Sequence, residues 1–410
     1  MDNKNLKGII ELGNLTTKCL IFNINIDNEY EILSTSIAST EGIHNGNIVN
    51  LTKASNTIRS CISAAEKKAN VSLKKINIVI EQPEFLCTKF SKHKKINGSK
   101  IHKDDVEFLL REAKKQLIYN DEKQSIIHIF NHNYVVDGKL FIEEPIGVYA
   151  DSLSHEITFI TMSKNSLRNI NQAFMDCDIE IERIISRTFA LAVELLDNKK
   201  LDDGSILVDL ESERTGVGLF KNLALVHSAT LPVGVSHITK DISKVCSLNL
   251  EESRNIKDNF DYSFINNHKF FDQDNYLKKS YFITSNFRKI SKNLILSVVE
   301  ARLDEIFNYI KKQIVVPGFD PISGKNILLT GYGSTLHNIE KYCANFFGLN
   351  VHKTEMNDSK ITQDLEKDFT PSLGALKIIK DGWETEAIPE INRKNVEKIS
   401  FLRKIFGSFL

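Results

Sequence analysis

The chain has 410 residues, which is too long for one hydrophobic core and predicts two or more lobes. Its 53 basic and 53 acidic residues cancel, so no net field attracts nucleic acid and we expect no nucleic-acid partner. The chain has no run of about 18 apolar residues and no signal-peptide stretch before Ile9, so we expect a cytoplasmic protein.

Six scattered cysteines without a CxxC pair argue against a zinc site or a disulfide framework, and we expect buried reduced thiols. No nucleophile–His–Asp pattern or metal-ligand spacing stands out, so we predict neither a catalytic centre nor a metal site. The histidines considered are expected at the surface or at edges. They are His44, His102, His128, His132, His155, His227, His237 and His337.

Three segments predict a strand followed by a tight turn, namely residues 9–18, 206–216 and 327–334. The first two continue into a second apolar run, so each predicts a strand–turn–strand unit. In each, the first strand ends near an acidic residue, Glu11 or Asp209. Two such turns facing each other can clasp a polyphosphate, and a third, Gly-rich turn can hold a nucleoside, because backbone N–H groups point at the ligand.

Between these turns the chain alternates strands and helices, apart from a charged, turn-rich block that predicts a small α+β insertion. The other predicted strands are 31–38, 76–81, 126–135, 155–162 and 181–185. The predicted helices are 52–70, 104–117, 166–177, 188–196, 241–245, 250–259, about 284–315 and 373–379, with a polar loop at 261–279.

Two further segments make the pattern specific. Residues 41–50 read Glu-Gly-Ile-His-Asn-Gly-Asn-Ile-Val-Asn, and residues 231–242 read Leu-Pro-Val-Gly-Val-Ser-His-Ile-Thr-Lys-Asp-Ile. The turns resemble those of the actin/Hsp70/sugar-kinase superfamily, and the two segments resemble conserved turns of the bacterial cell-division FtsA family. That family also places its subdomain 1C where this chain has its insertion. The resemblance implies an α/β, actin/Hsp70-like two-lobed fold with an inserted subdomain 1C and a C-terminal amphipathic helix.

By this resemblance the chain divides into subdomains at boundaries set by the predicted elements. They are subdomain 1A at 1–82 and 163–201, 1C at 83–162, 2A at 202–240 and 304–363, 2B at 241–303, a return to 1A at 364–383, a linker at 384–394 and a membrane-targeting helix at 395–410.

The resemblance places the first phosphate turn at Gly13, Asn14, Thr16, Thr17 and Lys18. Asn14 stands where the family usually has Thr or Ser. Gly13 allows close approach of the backbone, Lys18 can neutralise a phosphate, and Glu11 can organise Mg²⁺ through water. A plain hairpin between two core strands is the alternative for the same residues.

The second turn has lost the glycines of the family's Asp-Ile-Gly-Gly-Gly-Thr/Ser pattern. Asp209 and Thr215 remain, but residues 211–214 read Glu-Ser-Glu-Arg. A carboxylate about 4 Å from a phosphate costs around 4 kcal/mol at an effective dielectric near 20, and without glycine the turn cannot readily turn its N–H groups to an anion. Arg214 can offset this only by turning inward, and we expect it at the surface, paired with Glu211 or Glu213.

Two more glycines are lost around the same predicted ligand. Val235 replaces the second glycine of a pair that begins at Gly234, and Tyr332 replaces one between Gly331 and Gly333. Tyr332 can also stack on adenine, so that change alone decides nothing. Together the losses predict a degenerate nucleotide site.

Two residues on a helix, Glu252 and Lys257, are candidate nucleoside contacts by resemblance, and a solvated helix face is their alternative. ATP with Mg²⁺ is the only cofactor that the resemblance suggests. Because of the lost glycines we expect ATP to bind poorly or not at all, and we expect no hydrolysis, hence no enzyme.

The chain ends in a predicted amphipathic helix, residues 395–410, whose apolar side chains fall on one side at 100° per residue. They are Ile399, Phe401, Leu402, Ile405, Phe406, Phe409 and Leu410, with Arg403 and Lys404 on the other side. Roughly sixteen residues make about 24 Å, too short to span a bilayer, so we expect a helix in the plane of an anionic membrane surface. Docking on the protein's own core is the alternative.

The resemblance implies a protein that tethers FtsZ polymers to the cytoplasmic face of the bacterial inner membrane at the division site. It also implies recruitment of later division proteins through subdomain 1C, and self-association as an actin-like filament. FtsZ is expected on a basic helix of subdomain 2B, with a solvated helix face as the alternative. The candidates are Arg288, Lys289, Lys292 and Arg302.

Two rival functions stay open. An ATP-hydrolysing enzyme of the superfamily requires intact phosphate turns, and the glycine losses count against it. A pilus-assembly scaffold would share the fold and the insertion but should lack the membrane helix.

Overall fold

The computed structural model describes residues 6–25, 29–141, 145–259, 276–316, 326–354 and 362–381. The predicted linker and membrane helix, and most of the predicted loop at 261–279, lie outside these residues. The chain divides into two compact units. The first comprises residues 1–203, 220–229 and 356–410, and the second comprises 204–219 and 230–355.

The strands and helices alternate as the apolar pattern predicts. In chain order the strands are β1 Leu6–Leu12, β2 Thr16–Ile24, β3 Tyr30–Ser39, β4 Ile43–His44, β5 Asn47–Ile48, β6 Lys75–Ile80, β7 Leu86–Lys100, β8 Gln124–Val136, β9 Lys139–Phe141, β10 Tyr149–Ser163, β11 Glu180–Ser186, β12 Ser205–Leu210, β13 Thr215–Lys221, β14 Ala224–Leu231, β15 Asn326–Thr330 and β16 Asn350–Lys353. The helices are α1 Leu51–Ala69, α2 Lys103–Asn120, α3 Lys164–Met175, α4 Arg187–Leu195, α5 Asn198–Asp203, α6 Ser236–Cys246, α7 Leu250–Asn259, α8 Lys292–Ile314, α9 Ile339–Phe347 and α10 Thr362–Asp381.

The first unit is built on a mixed five-stranded sheet in the order β11-β6-β1-β2-β3. β1 runs parallel to β6 and antiparallel to β2, so it lies inside the sheet, and Ile9 and Ile10 are fully buried. β1 and β2 form the predicted strand–turn–strand unit, in which Glu11 lies opposite Lys18 and Leu12 opposite Thr17. The first candidate turn is therefore held between two core strands.

The predicted insertion forms a sheet of its own, in the order β7-β10-β8-β9, with α2 against one face. Two apolar clusters join the helix to the sheet. One includes Val106, Leu109 and Leu153, and the other includes Ala113 and Phe159. The charged block of the sequence therefore contains an independent small core, as predicted.

Another five-stranded sheet has the order β14-β13-β12-β15-β16. Its strands β12, β15 and β16 belong to the second unit, together with the helices α6 to α9. β12 runs parallel to β15, with Asp209 opposite Thr330, so the second and third candidate turns leave the same edge of the sheet. Within the described ranges, every helix is too short or too polar to cross a membrane.

Three predicted helices have other bounds. The helix predicted from about residue 284 begins only at Lys292, capped by Ser291. Thr284 and Ser285 lie in the segment before it, where their backbone N–H groups donate to the buried Glu252 carboxylate. The helix predicted at 241–245 starts at Ser236. The last helix starts well before residue 373 and is kinked at Phe369.

Two histidines expected at the surface are buried in the insertion, which corrects the prediction for His128 and His155. His128 accepts a hydrogen bond from the backbone N–H of Ser186 at 2.8 Å, and His155 stacks on Tyr134 with 4.2 Å between ring centroids. Burial lowers the pKa of each imidazole to about 3. Both side chains are therefore neutral at physiological pH.

These two histidines should make the fold acid-sensitive. Between their folded pKa of about 3 and the ordinary value near 6.5, the unfolded chain binds more protons, so stability is present above pH 6.5 and lost as the pH falls. At pH 5 each histidine should lower the free energy of unfolding by about 2 kcal/mol. We expect His155→Phe to remove about half of the stability lost between pH 7 and pH 5 in urea unfolding, whereas exposed His44→Gln should remove none. An equal pH dependence in wild type and His155→Phe would contradict this assignment.

Candidate functional site

The first turn has the tight backbone expected of it, but its side chains are engaged within the first unit. A Cβ on Gly13 would lie 2.5 Å from the carbonyl oxygen of Thr16, so only glycine fits. Asn14 exchanges two hydrogen bonds with Asn45, of 2.7 and 2.6 Å, and thereby joins the turn to the segment at 41–50. Thr17 is buried, with its hydroxyl 2.9 Å from that of Thr40.

Lys18, the predicted phosphate partner, reaches the kink of α10. Its ammonium group donates to the carbonyl oxygen of Asp368 and lies 5.9 Å from the ring centroid of Phe369. The helix departs from regular geometry at Phe369, two residues before Pro371, which has no N–H group to continue the helix hydrogen bonds. A phosphate at this turn would have to compete for Lys18.

The carboxylate predicted to organise Mg²⁺ has a protein cation beside it. Glu11 is buried at the end of β1 and forms an ion pair with Arg187, the first residue of α4. Glu81, also buried, accepts hydrogen bonds from the Ser186 hydroxyl and the Thr188 backbone N–H, each at 2.9 Å. Sequence reasoning missed Arg187 and Glu81; the available signal was two charges placed at strand ends in otherwise apolar surroundings.

The second turn packs tightly on the start of α6. The Glu211 N–H donates to the Arg214 carbonyl at 3.0 Å and closes the turn. The N–H groups of Val235 and Ser236 donate to the carbonyls of Glu211 and Ser212, at 3.0 and 2.8 Å. The helix N-terminus, which is the usual anion-binding feature, therefore binds the turn's own carbonyl oxygens.

Gly234 is required by this packing. A Cβ there would lie 2.2 Å from the Glu211 carbonyl oxygen. Thr215, predicted at the phosphates, is fully buried, and its hydroxyl donates to the Val233 carbonyl at 2.7 Å. The retained residues of the second turn thus hold the turn and the helix together.

The charges of the second turn differ from the prediction. Arg214 is only 6% exposed, so its expected place at the surface is wrong. Glu213 accepts a hydrogen bond of 2.6 Å from the Ser236 hydroxyl and pairs with Lys240 at 3.1 Å. Partial burial raises the pKa of Glu213, but the bonds from Ser236 and Lys240 outweigh it and leave that pKa lowered. Glu213 is therefore bound to two side chains of α6 rather than a free carboxylate.

The third turn shows how a lost glycine is accommodated. Gly331 has φ of +83°, and a Cβ on it would lie 2.7 Å from the Asp209 carboxylate. A Cβ on Gly333 would lie 2.7 Å from a methyl carbon of Val235 and 2.5 Å from Leu210. Val235 therefore fills the space over Gly333, and the replaced glycine is part of a packed apolar contact.

Tyr332 belongs to a small cluster with the predicted nucleoside contact Lys257. The Lys257 ammonium group is nearly fully buried, 4.6 Å from the Tyr332 ring centroid and 2.5 Å from the Asp258 carboxylate, and the Tyr332 hydroxyl donates to the same carboxylate at 3.1 Å. Burial lowers the pKa of Lys257, against the opposing effect of Asp258. The Lys257 charge therefore interacts with Asp258 and Tyr332 rather than lying open to a ligand.

Glu252, the second predicted nucleoside contact, is fully buried. It accepts hydrogen bonds from the Thr284 N–H at 2.9 Å, the Ser285 N–H at 2.7 Å and the Ser285 hydroxyl at 2.6 Å. Burial opposes its charge, but these bonds lower the pKa of Glu252 to about 2. It fixes the segment that precedes α8 rather than lying open to a ligand.

The predicted partner-binding residues do not share a helix. Arg288 and Lys289 precede α8, and the Arg288 guanidinium donates to the Cys246 and Ser247 carbonyls at 3.0 and 2.8 Å, where α6 ends. Arg302 lies on α8 but is held by Asp241 and Glu305. The expected single basic helix face is therefore wrong.

Around Arg288 the structure exposes a group of apolar side chains that the sequence did not suggest. Val245, Leu250, Ile283 and Phe287 are each about half exposed. Hydrogen bonds from Arg288 to the end of α6, and between Asn249 and Thr284, bring these segments together. We call these four residues the 2B apolar surface.

Comparison with known proteins agrees with this architecture. The structure resembles one titled "PilM-PilN type IV pilus biogenesis complex" with a TM-score of 0.63 and 11% identity, covering 90% of this chain and 97% of that one. It resembles MreB 5 of Spiroplasma citri bound to AMPPNP with a TM-score of 0.51 and 14% identity, covering 93% and 98%. The fold is that of the actin-like proteins.

Two family models match the chain. The model described as the SHS2 domain inserted in FtsA matches residues 85–161, and that of cell division protein FtsA matches residues 206–370. FtsA of Buchnera aphidicola subsp. Schizaphis graminum is 23% identical over 98% of this chain and 96% of its own length. FtsA of Agrobacterium fabrum is 22% identical over 84% and 79%. The chain belongs to the FtsA family of cell-division proteins.

Proposed function

We propose that this protein tethers FtsZ polymers to the cytoplasmic face of the inner membrane at the division site, as a peripheral protein. It self-associates as an actin-like filament and recruits later division proteins through the inserted subdomain. Family membership supports the division role. The tether requires one site for FtsZ and one for anionic lipid, and these are the 2B apolar surface and the predicted terminal helix.

The observation that carries the proposal is the 2B apolar surface. Exposed apolar side chains that cluster on a soluble domain mark a binding surface more often than isolated ones do. Here they come from three adjacent segments within the predicted subdomain 2B, where the family resemblance places FtsZ. Lys289, exposed beside them, supplies a positive charge for an acidic peptide.

Of the predicted basic candidates, Lys289 is better placed than Arg302 to supply the charge contact. Arg302 is already paired with Asp241 and Glu305, so Arg302→Glu would set three carboxylates together and disturb α6 and α8. Lys289 lies over the ring of Tyr276 and its side chain is exposed, so reversing its charge leaves the fold intact.

A peptide from the C-terminal end of FtsZ should bind the second unit through this surface. We expect Phe287→Glu to raise the dissociation constant at least tenfold, because a buried phenylalanine contributes roughly 1.5–3 kcal/mol and the new charge repels an acidic peptide. Lys289→Glu should raise it about tenfold. The measurement is a calorimetric titration.

The control is Tyr119→Glu, which adds the same charge at an aromatic residue on α2 of the insertion that is more exposed than Phe287. Its affinity for the peptide should equal that of the wild type. Unchanged affinity in both Phe287→Glu and Lys289→Glu would place the FtsZ site elsewhere.

The rival functions have less support. A pilus-assembly scaffold is favoured by the likeness to the PilM-PilN complex, but at 11% identity that likeness concerns the fold, and both family models are those of FtsA. An ATP-hydrolysing enzyme would need the N–H groups that the second turn now occupies with its own carbonyls.

A further inference from the structure

Strand β3 lies at the edge of the first unit's sheet and lacks the usual protection against pairing. Between Glu31 and Glu41 it carries no charged side chain over nine residues, 32–40. Natural sheets protect their edges with lysine side chains, with very short strands, or with a helix or loop that covers the edge. Among the described strands, β3 is the long, accessible, uncharged edge.

The other described edges carry these protections. Five lysines lie along β7, the edge of the insertion's sheet, while β9 and β16 have three and four residues. β14 is uncharged but mostly buried, and β11 carries three charged side chains. The contrast within one molecule makes β3 the edge available for pairing.

The hydrogen-bond pattern shows which groups β3 turns outward. The Thr40 N–H donates to the Leu15 carbonyl at 3.0 Å, and inward-bonding residues alternate along an antiparallel strand. Thr35, Ile37 and Ser39 therefore point their backbone groups away from β2. The pairing with β2 is regular from Ser34 to Thr40, and a shift in register between Ser34 and Ile32 ends the regular run on the other side.

We propose that β3 pairs with β3 of a second copy of this chain, antiparallel and centred on Ile37. Ile37 is the midpoint of the regular run and is 50% exposed. In this register Ile37 lies opposite Ile37, and Thr35 lies opposite Ser39. No two like charges face each other, because Glu41 lies opposite Leu33. The same self-pairing on β7 would bring lysines together. The inference does not depend on the proposed tether.

One side chain already binds an outward backbone group of β3. The Lys68 ammonium group, on α1, donates to the outward carbonyl of Thr35 at 2.8 Å. In the proposed pair this carbonyl accepts from the Ser39 N–H of the second copy instead. Lys68 is exposed, so water readily replaces its bond and the exchange costs little. Lys68 thus weakens the pairing without preventing it.

Disulfide cross-linking of the full chain, without lipid or FtsZ, tests the register. In the proposed pair the two Ile37 Cα atoms are about 5.5 Å apart, within the range for a disulfide, whereas the Cα atoms of the two copies of Ser39 are about 14 Å apart. Under mild oxidation Ile37→Cys should give a covalent dimer and Ser39→Cys should not. The double variant Thr35→Cys/Ser39→Cys should cross-link, because these positions face each other. Wild type, with its six native cysteines, gives the background.

Two further variants act without a new thiol. Lys68→Ala should strengthen dimerisation about fivefold in analytical ultracentrifugation, because the outward carbonyl loses its competing donor. Ile37→Lys should abolish the dimer, because the two lysines would face each other at the twofold axis of the pair. Cross-linking of Ile37→Cys at the background level, or equal yields from Ile37→Cys and Ser39→Cys, would overturn the proposal. So would a monomer whose outward β3 amides are already protected from hydrogen exchange, since another occupant would then hold the edge.

Discussion

Removal of residues 395–410 is expected to release the protein from liposomes that contain anionic lipid, and Phe406→Glu is expected to do nearly as much. Complete burial of an aromatic or aliphatic side chain contributes roughly 1.5–3 kcal/mol, and a helix at the interface gains part of this at each position of its apolar side. A glutamate in that side loses the gain and is repelled by the anionic surface. In co-sedimentation, the bound fraction of the truncated protein should fall at least tenfold.

Ser400→Glu is the matched control, because it adds the same charge on the polar side of the predicted helix and leaves the apolar side whole. It should keep most of the binding. Co-sedimentation of the truncated protein at the full-length level would contradict a membrane role for the tail.

A single tail should bind weakly and reversibly, whereas a row of tails on a filament binds firmly through effective concentration. Self-association therefore sets the strength of the tether.

ATP is expected to bind poorly, and replacing Glu211-Ser212-Glu213 by Gly-Gly-Gly should improve its binding at least tenfold. The natural turn places its carbonyls on the N–H groups that begin α6, and glycines allow the turn to change its path and release those donors. Calorimetric titration with Mg-ATP on both proteins measures the difference.

The control for this experiment separates charge from backbone freedom. Glu213→Gln keeps a hydrogen bond to Ser236 but removes the charge that Lys240 already neutralises, so it should change ATP affinity little. A gain from Glu213→Gln as large as that from the glycines would show that repulsion dominates. Micromolar binding by the natural sequence would contradict a degenerate site.

Local patterns predicted most of the strands and helices, and the family resemblance implied the two-lobed fold. The apolar residues around Glu11 in β1 and the apolar run at 206–208 identified central strands, and the charged block after Pro83 identified the insertion, because these features depend on neighbours in sequence. The long helix was misplaced for the opposite reason. Its predicted start at Thr284 is bound by Glu252, 32 residues earlier, and such a contact leaves no periodic signal.

The sequence predicted where the three turns lie but not which groups their side chains contact. The three turns lie where the spacing put them, yet Glu213 binds a helix 23 residues later, and Glu11 binds Arg187 across 176 residues. A sequence shows that carboxylates stand beside a turn; only the tertiary structure shows which cations and N–H groups already bind them. His128 and His155 were placed outside for the same reason, since their burial depends on the packing of the insertion.

Recruitment of FtsZ polymers to membranes tests the proposed tether most directly. Liposomes with anionic lipid are mixed with FtsZ polymers and the full chain, the chain lacking residues 395–410, or Phe287→Glu, and the FtsZ in the membrane pellet is measured. The full chain should carry FtsZ to the membrane. Phe287→Glu should bind the membrane without FtsZ, and the truncated chain should bind FtsZ without the membrane. Equal recovery of FtsZ with all three proteins, or none with the full chain, would contradict the tether.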